Sequence, residues 1–214
     1  MALNELARSG SGTVALAPEA GSERLRRLIK KGINEDDILK AMDAASQEDI
    51  KQMRLYFMVG LPTETDDDIQ AIVDLSLKCK NVLERRRSAA RISLSVAPFV
   101  PKAGTPFQWQ PMEDLSTLER RISLLKKELR PAGVRVSGES PAWSEVQALL
   151  ARGDVNLAEA LASTQDVTLA DWRQALKTHG IDAGRYTHEG WSPDRELPWA
   201  MIDHGSQLQY LRLG

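Results

Sequence analysis

Residues 54–65 read Arg-Leu-Tyr-Phe-Met-Val-Gly-Leu-Pro-Thr-Glu-Thr. Leu55 to Val59 fill the length of one strand with apolar side chains and no polar break. That is the pattern of a strand covered on both faces, as in a parallel sheet. Gly60 permits a sharp turn, and Pro62 fixes φ and withholds a donor. Thr65 is suited to cap a helix whose positive end Asp66, Asp67 and Asp68 favour. A strand that passes through so tight a corner into a helix belongs to an α/β plan, in which ligands sit at such strand ends.

Two more stretches follow the same plan. Thr13–Ala17 reads as a first strand, Pro18–Gly21 as a turn and Ser22 as an N-cap. The next helix has an apolar stripe of Leu25, Leu28 and Ile29. Arg24, Arg26, Arg27, Lys30 and Lys31 are expected on its wet face, and Gly32 as its C′ residue. A second helix opens at Asn34, with Glu35, Asp36 and Asp37 in its first turn. The third strand is Ala90–Ala97, followed by a corner over Pro98–Pro106. The helix after it has a capping box from Ser116 to Glu119 and an apolar face of Leu118, Ile122, Leu125 and Leu129. Val134–Ser137 reads as a fourth strand. Three strand–helix units make half of a six-fold barrel or a small open sheet. Ser9-Gly10-Ser11-Gly12 precedes them as a flexible joint.

From Pro141 the character becomes helical, with segments at 145–152, 157–163 and 168–179 and a loop-rich tail from Ile181. Trp143, Trp172, Trp191 and Trp199 fall in this last third, with Trp109 ahead of them. They read as anchors of a small core. The division expected is residues 1–138 and 139–214. A formal net charge of −2 points to neither nucleic acid nor an anionic membrane as partner. Arg85, Arg86 and Arg87 suit a solvated helix C-terminus. The single cysteine, Cys79, allows no internal disulfide. It reads as a packing residue rather than a nucleophile. His179, His188 and His204 have no metal-ligand spacing. With no long apolar run and no secretory start, a cytoplasmic chain is expected.

Chemistry is expected where the three corners meet one sheet edge. Glu19 and Glu64 suit ribose hydroxyls or an ammonium, and Lys102 suits a carboxylate. Ser22, Thr63 and Thr105 add hydroxyls, and the amides near Gly21 and Ser22 suit an anion. No nucleophile elbow and no phosphate loop occurs.

Ala17–Gly32, Tyr56–Thr65 and Ser95–Pro106, in this order and spacing, resemble the second half of a radical S-adenosylmethionine (SAM) domain. The group they resemble is the uncharacterised one in which that domain follows a cobalamin-binding-like region, with a more distant likeness to tRNA methylthiotransferases. The likeness runs over residues 9–214 and takes in Leu197-Pro-Trp199, Ile202 and Tyr210. It implies half of a (β/α)6 partial TIM-type barrel with parallel strands, followed by a mainly helical extension. It also implies SAM and a [4Fe–4S] cluster as the parent's cofactors. The implied SAM-pocket residues are Glu19, Ser22, Tyr56, Met58, Gly60, Thr63, Glu64, Pro98 and Lys102, with no catalytic or metal residue among them.

One departure decides what this chain does alone. The family holds its cluster through a Cys-x-x-x-Cys-x-x-Cys loop after the first strand, and this sequence has only Cys79. One thiolate does not hold a cluster that needs three. The first three strand–helix units and the Gly-Gly-Glu corner are missing too. The chain is therefore expected to be a fragment, inactive alone, that pairs with an N-terminal half-barrel chain. An alternative is a non-catalytic interaction module that self-associates or docks through the open sheet edge at the first strand. A third is a cluster-free SAM or nucleotide binder.

Overall fold

The computed structural model describes residues 12–202. Ser9 to Ser11, His204 and Tyr210 lie outside them. Four strands, β1 (Thr13–Glu19), β2 (Gln52–Val59), β3 (Arg91–Pro98) and β4 (Arg135–Gly138), form one sheet in the order β1-β2-β3-β4. Every pair is parallel. Among the described residues β1 and β4 are the end strands, and the sheet is an open part of an α/β barrel-like arrangement. The connecting helices are α1 (Glu23–Leu28), α2 (Glu35–Ser46), α3 (Asp66–Arg85) and α4 (Leu115–Leu129).

Met53, Leu55, Phe57 and Val59 on β2, and Ile92, Leu94 and Val96 on β3, make one buried face. Their helical counterparts include Ile38 and Met42 on α2, Ile69, Ile72 and Leu75 on α3, and Leu118, Leu125 and Leu129 on α4. Cys79 is fully buried among them, and burial pushes its thiol up to about 12, so it packs rather than reacts.

Four local expectations are corrected. The apolar run on β2 is covered on one face only: Arg54 is exposed and Tyr56 is 38% exposed, while their neighbours are buried. Arg26 is not on the wet face of α1. It is buried, and its guanidinium donates to the carbonyls of Ala20 and Gly21 at 3.0 and 2.8 Å. Gly32 is not the C′ residue: α1 ends sooner, and Lys30 takes the left-handed conformation at φ 53°. The amides of Lys30 and Lys31 then bond back to the carbonyls of Arg27 and Arg26, which closes the helix end. Finally, α4 starts from Asp114 rather than Ser116. Asp114 accepts from the Thr117 amide at 2.9 Å and the Ser116 hydroxyl at 2.6 Å, bonds that hold its carboxyl well below the usual range.

The chain divides into two compact units. Among the described residues, one comprises 12–98 and 118–139, and the other 99–117 and 140–202. The second holds α5 (Pro141–Arg152), α6 (Leu157–Ser163), α7 (Leu169–Thr178) and α8 (Ala183–Thr187), the last in a stretch expected to be loop. Leu149, Leu157, Ala160, Trp172, Ala175 and Leu176 form its main core. Trp109, Trp191 and Leu197 form a satellite, and Trp143 departs from the anchor role at 38% exposure.

Segment 99–117 joins this unit through specific bonds. The Arg152 guanidinium donates to Gln110 O and Glu189 O, both at 3.1 Å, and stacks 3.8 Å from the Trp191 ring centroid. Burial, then the nearby charge of Arg195, lowers it to about 10. The His188 ring bridges Met112 O at 3.1 Å and Glu145 Oε1 at 2.9 Å. No helix among the described residues is long and apolar enough to cross a membrane.

Candidate functional site

Parallel pairing brings the strand ends of the first unit to one rim. Val59 lies opposite Pro98, and Glu19 opposite Phe57 two residues below. Glu19, Gly60 and Pro98 therefore share an edge, the edge at which α/β sheets take ligands.

At the first corner, Glu19 adopts φ 66° and its carboxylate meets Lys31 Nζ at 3.2 Å. Ala20 and Gly21 fold inward, and Ser22 caps α1 by accepting from the Leu25 amide at 3.3 Å. A Cβ on Gly21 would lie 2.3 Å from the backbone nitrogen of Ile72 and 2.6 Å from the carbonyl carbon of Ala71, both on α3. Glycine is required there because the turn rests on a helix backbone.

The second corner turns at Gly60, φ 83°, whose amide donates to Glu64 Oε2 at 2.6 Å. Glu64 is almost wholly buried and also accepts from Arg121, whose Nη1 lies at 3.0 Å. Arg121 Nη2 donates to the Glu64 carbonyl at 3.1 Å, and Arg120 grips Asp66 with two bonds of 2.9 and 3.0 Å. Thr63 stands at φ 65°, an uncommon conformation for a β-branched residue. Non-glycine residues held left-handed at two neighbouring strand ends are the kind of strain that gathers at working sites.

The two corners are braced to each other. Arg24, on α1, donates to Thr63 Oγ1 and Thr63 O, each at 2.9 Å, and pairs with Asp68. Asp68 also accepts from the Ser22 hydroxyl, and from the Thr65 amide and hydroxyl at 2.8 and 2.9 Å. Burial drives its carboxyl up, but the bonds from Ser22, Thr65 and Arg24 outweigh this and hold it below the usual range.

Of the residues picked out in the sequence, Glu19, Gly60, Thr63, Glu64 and Pro98 come together at the rim, and Ser22 stands beside them at the start of α1. Tyr56 and Met58 lie on the open face of β2 below the rim, opposite Ser95 and Ala97 of β3. Lys102 belongs to the second unit, where it is exposed and its carbonyl accepts from Thr105 Oγ1 at 2.8 Å. Sequence reasoning missed Arg24, Arg26, Asp68 and Arg121, which hold the corners. Only Asp68 carried a signal, as the third residue of a helix after a Thr cap. The partners of the arginines are up to 57 residues away in the chain.

This rim belongs to a parallel sheet with one face covered by helices, a partial α/β barrel-like arrangement. Residues 2–76 match the family model described as the Radical SAM superfamily. That segment takes in the first two strands and both corners, so the chain has radical SAM ancestry there. Over 156 residues, 73% of its length, the chain is 41% identical to Uncharacterized protein MJ0966 of Methanocaldococcus jannaschii. It spans about a third of that relative's length.

The donor set does not fit an iron–sulfur cluster. Cys79 is the one cysteine in the sequence, and it is buried in the helix-side core. Among the described residues no group of three or more His, Cys, Asp or Glu side chains is placed to hold a metal ion.

Proposed function

We propose that this chain is part of a radical SAM iron–sulfur enzyme and supplies one side of the SAM pocket, with the cluster held by residues it does not contain. The observation that carries this reading is the pair of strained, cross-braced corners at one sheet edge, inside the segment that matches the superfamily. In this reading the chain is the C-terminal half of the barrel and belongs to the group with a cobalamin-binding-like region. An N-terminal half-barrel completes it, and the working compartment is the cytoplasm. Tyr56 and Met58 line the pocket from the open face, and Gly60, Thr63 and Pro98 line it from the rim. Glu19 and Ser22 flank it. Glu64 acts by fixing the Gly60 turn through the Gly60 amide and Arg121.

Alone, the chain is inactive. Anaerobic reconstitution with iron and sulfide tests this: no stable cluster spectrum should develop. A chain that retains about four irons per molecule overturns the fragment reading. The open sheet favours a second reading, an interaction module that covers its edges by self-association. Light scattering during size exclusion separates the two: a monomer that survives dilution counts against edge-paired self-assembly.

A further inference from the structure

Among the described residues, the open face of the sheet carries a cluster of arginines with no acid beside them. Register places Arg54 of β2 opposite Ser93 of β3, and Ser93 opposite Arg135 of β4. Arg91 pairs with Gln52, one row nearer the strand starts on the same face. All three arginines are exposed. With strands about 4.8 Å apart, Arg54 and Arg135 stand roughly 10 Å from each other, and Arg91 lies on a diagonal between them. These separations are comparable to the Debye length, about 8–10 Å at 0.1–0.15 M salt, so the repulsion is only partly screened.

Among the described residues of β2, β3 and β4, no acid shares this face with them. The other open-face residues of β2, β3 and β4 are Gln52, Tyr56, Met58, Ser93, Ser95, Ala97 and Ser137, and none is acidic. Gln52 is already bonded to Ser93 at 2.9 Å. Among the described residues, none of the three arginines has an ion-pair partner, whereas Arg24, Arg86, Arg120 and Arg121 each meet a carboxylate.

The position of the charges says what kind of occupant they fit. Arg91 and Arg135 are the first residues of their strands and Arg54 is the third of its own. They therefore lie at the end away from the rim. Ligands of parallel α/β sheets bind at the C-terminal ends of strands, while the N-terminal end serves packing. We propose that the N-terminal half of this open face is a docking surface for a polypeptide partner that presents carboxylates to Arg54, Arg91 and Arg135. The proposal rests on the reading of this chain as part of a larger assembly, and it names the chemistry by which the missing part is recognised.

The test uses the full chain and a labelled poly-L-glutamate peptide at low salt, read by fluorescence anisotropy. Binding should saturate at one peptide per chain. The triple variant R54E/R91E/R135E should weaken it by about thirtyfold or more, and binding should fade as salt is raised. The control variant R85E/R87E, at the exposed end of α3, should leave it unchanged. R54Q/R91Q/R135Q removes the charges without adding new ones and should give an intermediate loss. Circular dichroism should show all variants folded, since none of these side chains is buried. The proposal is overturned by an absence of saturable binding, by equal loss in the control variant, or by tighter binding of pyrophosphate or a short RNA oligonucleotide than of the peptide. The experiment involves neither SAM nor iron, so its failure leaves the cluster test standing, and a failed cluster test leaves this one standing.

Discussion

The two faces of β2 share one backbone and differ in nearly everything else. Met53, Leu55, Phe57 and Val59 point to the helices and are at most 1% exposed. Gln52, Arg54, Tyr56 and Met58 alternate with them and remain partly or fully in water. Burial of apolar area is worth about 25 cal/mol per Å², so the stability of this unit resides on the helix side. The open side buries less apolar surface and leaves its side chains partly in water. Mutations along one strand should therefore fall into two classes, and each outcome below breaks or sharpens that division.

The largest effect is expected where the helix side meets backbone. Gly21→Ala places a methyl group 2.3 Å from the Ile72 nitrogen, an atom fixed inside α3. The turn and the helix cannot both stay in place, so the loss should exceed about 3 kcal/mol, enough to unfold a marginal domain. Urea denaturation or the soluble yield measures it, and a near-normal midpoint would show that the corner yields easily. Leu55→Ala comes next. It opens a cavity in the centre of the covered face and should cost about 2–5 kcal/mol in the same assay.

A smaller effect is expected at the brace between the corners. Asp68→Asn weakens the acceptor shared by Ser22, Arg24 and Thr65 and should cost about 1–3 kcal/mol at neutral pH. The sign with pH follows from linkage. The folded carboxyl sits below its unfolded value of 3.8, so its stabilisation is complete above that value and is lost as acid protonates the folded form. The melting-temperature gap between the natural chain and Asp68→Asn should therefore be steady near neutrality and close as pH falls below about 4. A gap that widens in acid would refute the brace.

Much of this architecture was legible in the residues. Apolar runs ending in Gly, Pro and capping residues gave all four strands and their parallel order. Asn34 and Ser22 cap helices as their types imply. The corners were legible because strand, turn and helix signals adjoin in the chain. The one-sided cover of β2 was not, because Tyr56 and Met58 are apolar enough to pass for core while lying on the open face. The burial of Arg26 was not legible either: a cation among other cations reads as wet unless the carbonyls that receive it, those of Ala20 and Gly21, are seen folding back over it. Segment 99–117 is tied to the helical unit by bonds that include those of Arg152 and His188, which reach it from 42 and 76 residues away. No local pattern reports contacts at that range.

Tyr56→Ser is the smallest effect and the sharpest comparison with Leu55→Ala, since the two residues are adjacent and face opposite ways. Tyr56 is 38% exposed, and its row across the sheet is made of Ser95 and Ser137. Replacing it removes part of a ring's contact with β3 but opens no cavity, so the cost should stay within about 1 kcal/mol. Urea midpoints for both variants, taken at one temperature, compare the two directly. If Tyr56→Ser costs as much as Leu55→Ala, the open face carries folding energy of its own and is no longer free to receive a partner. If it costs little in isolation but lowers SAM affinity once a partner or cofactor is supplied, the face acts in binding.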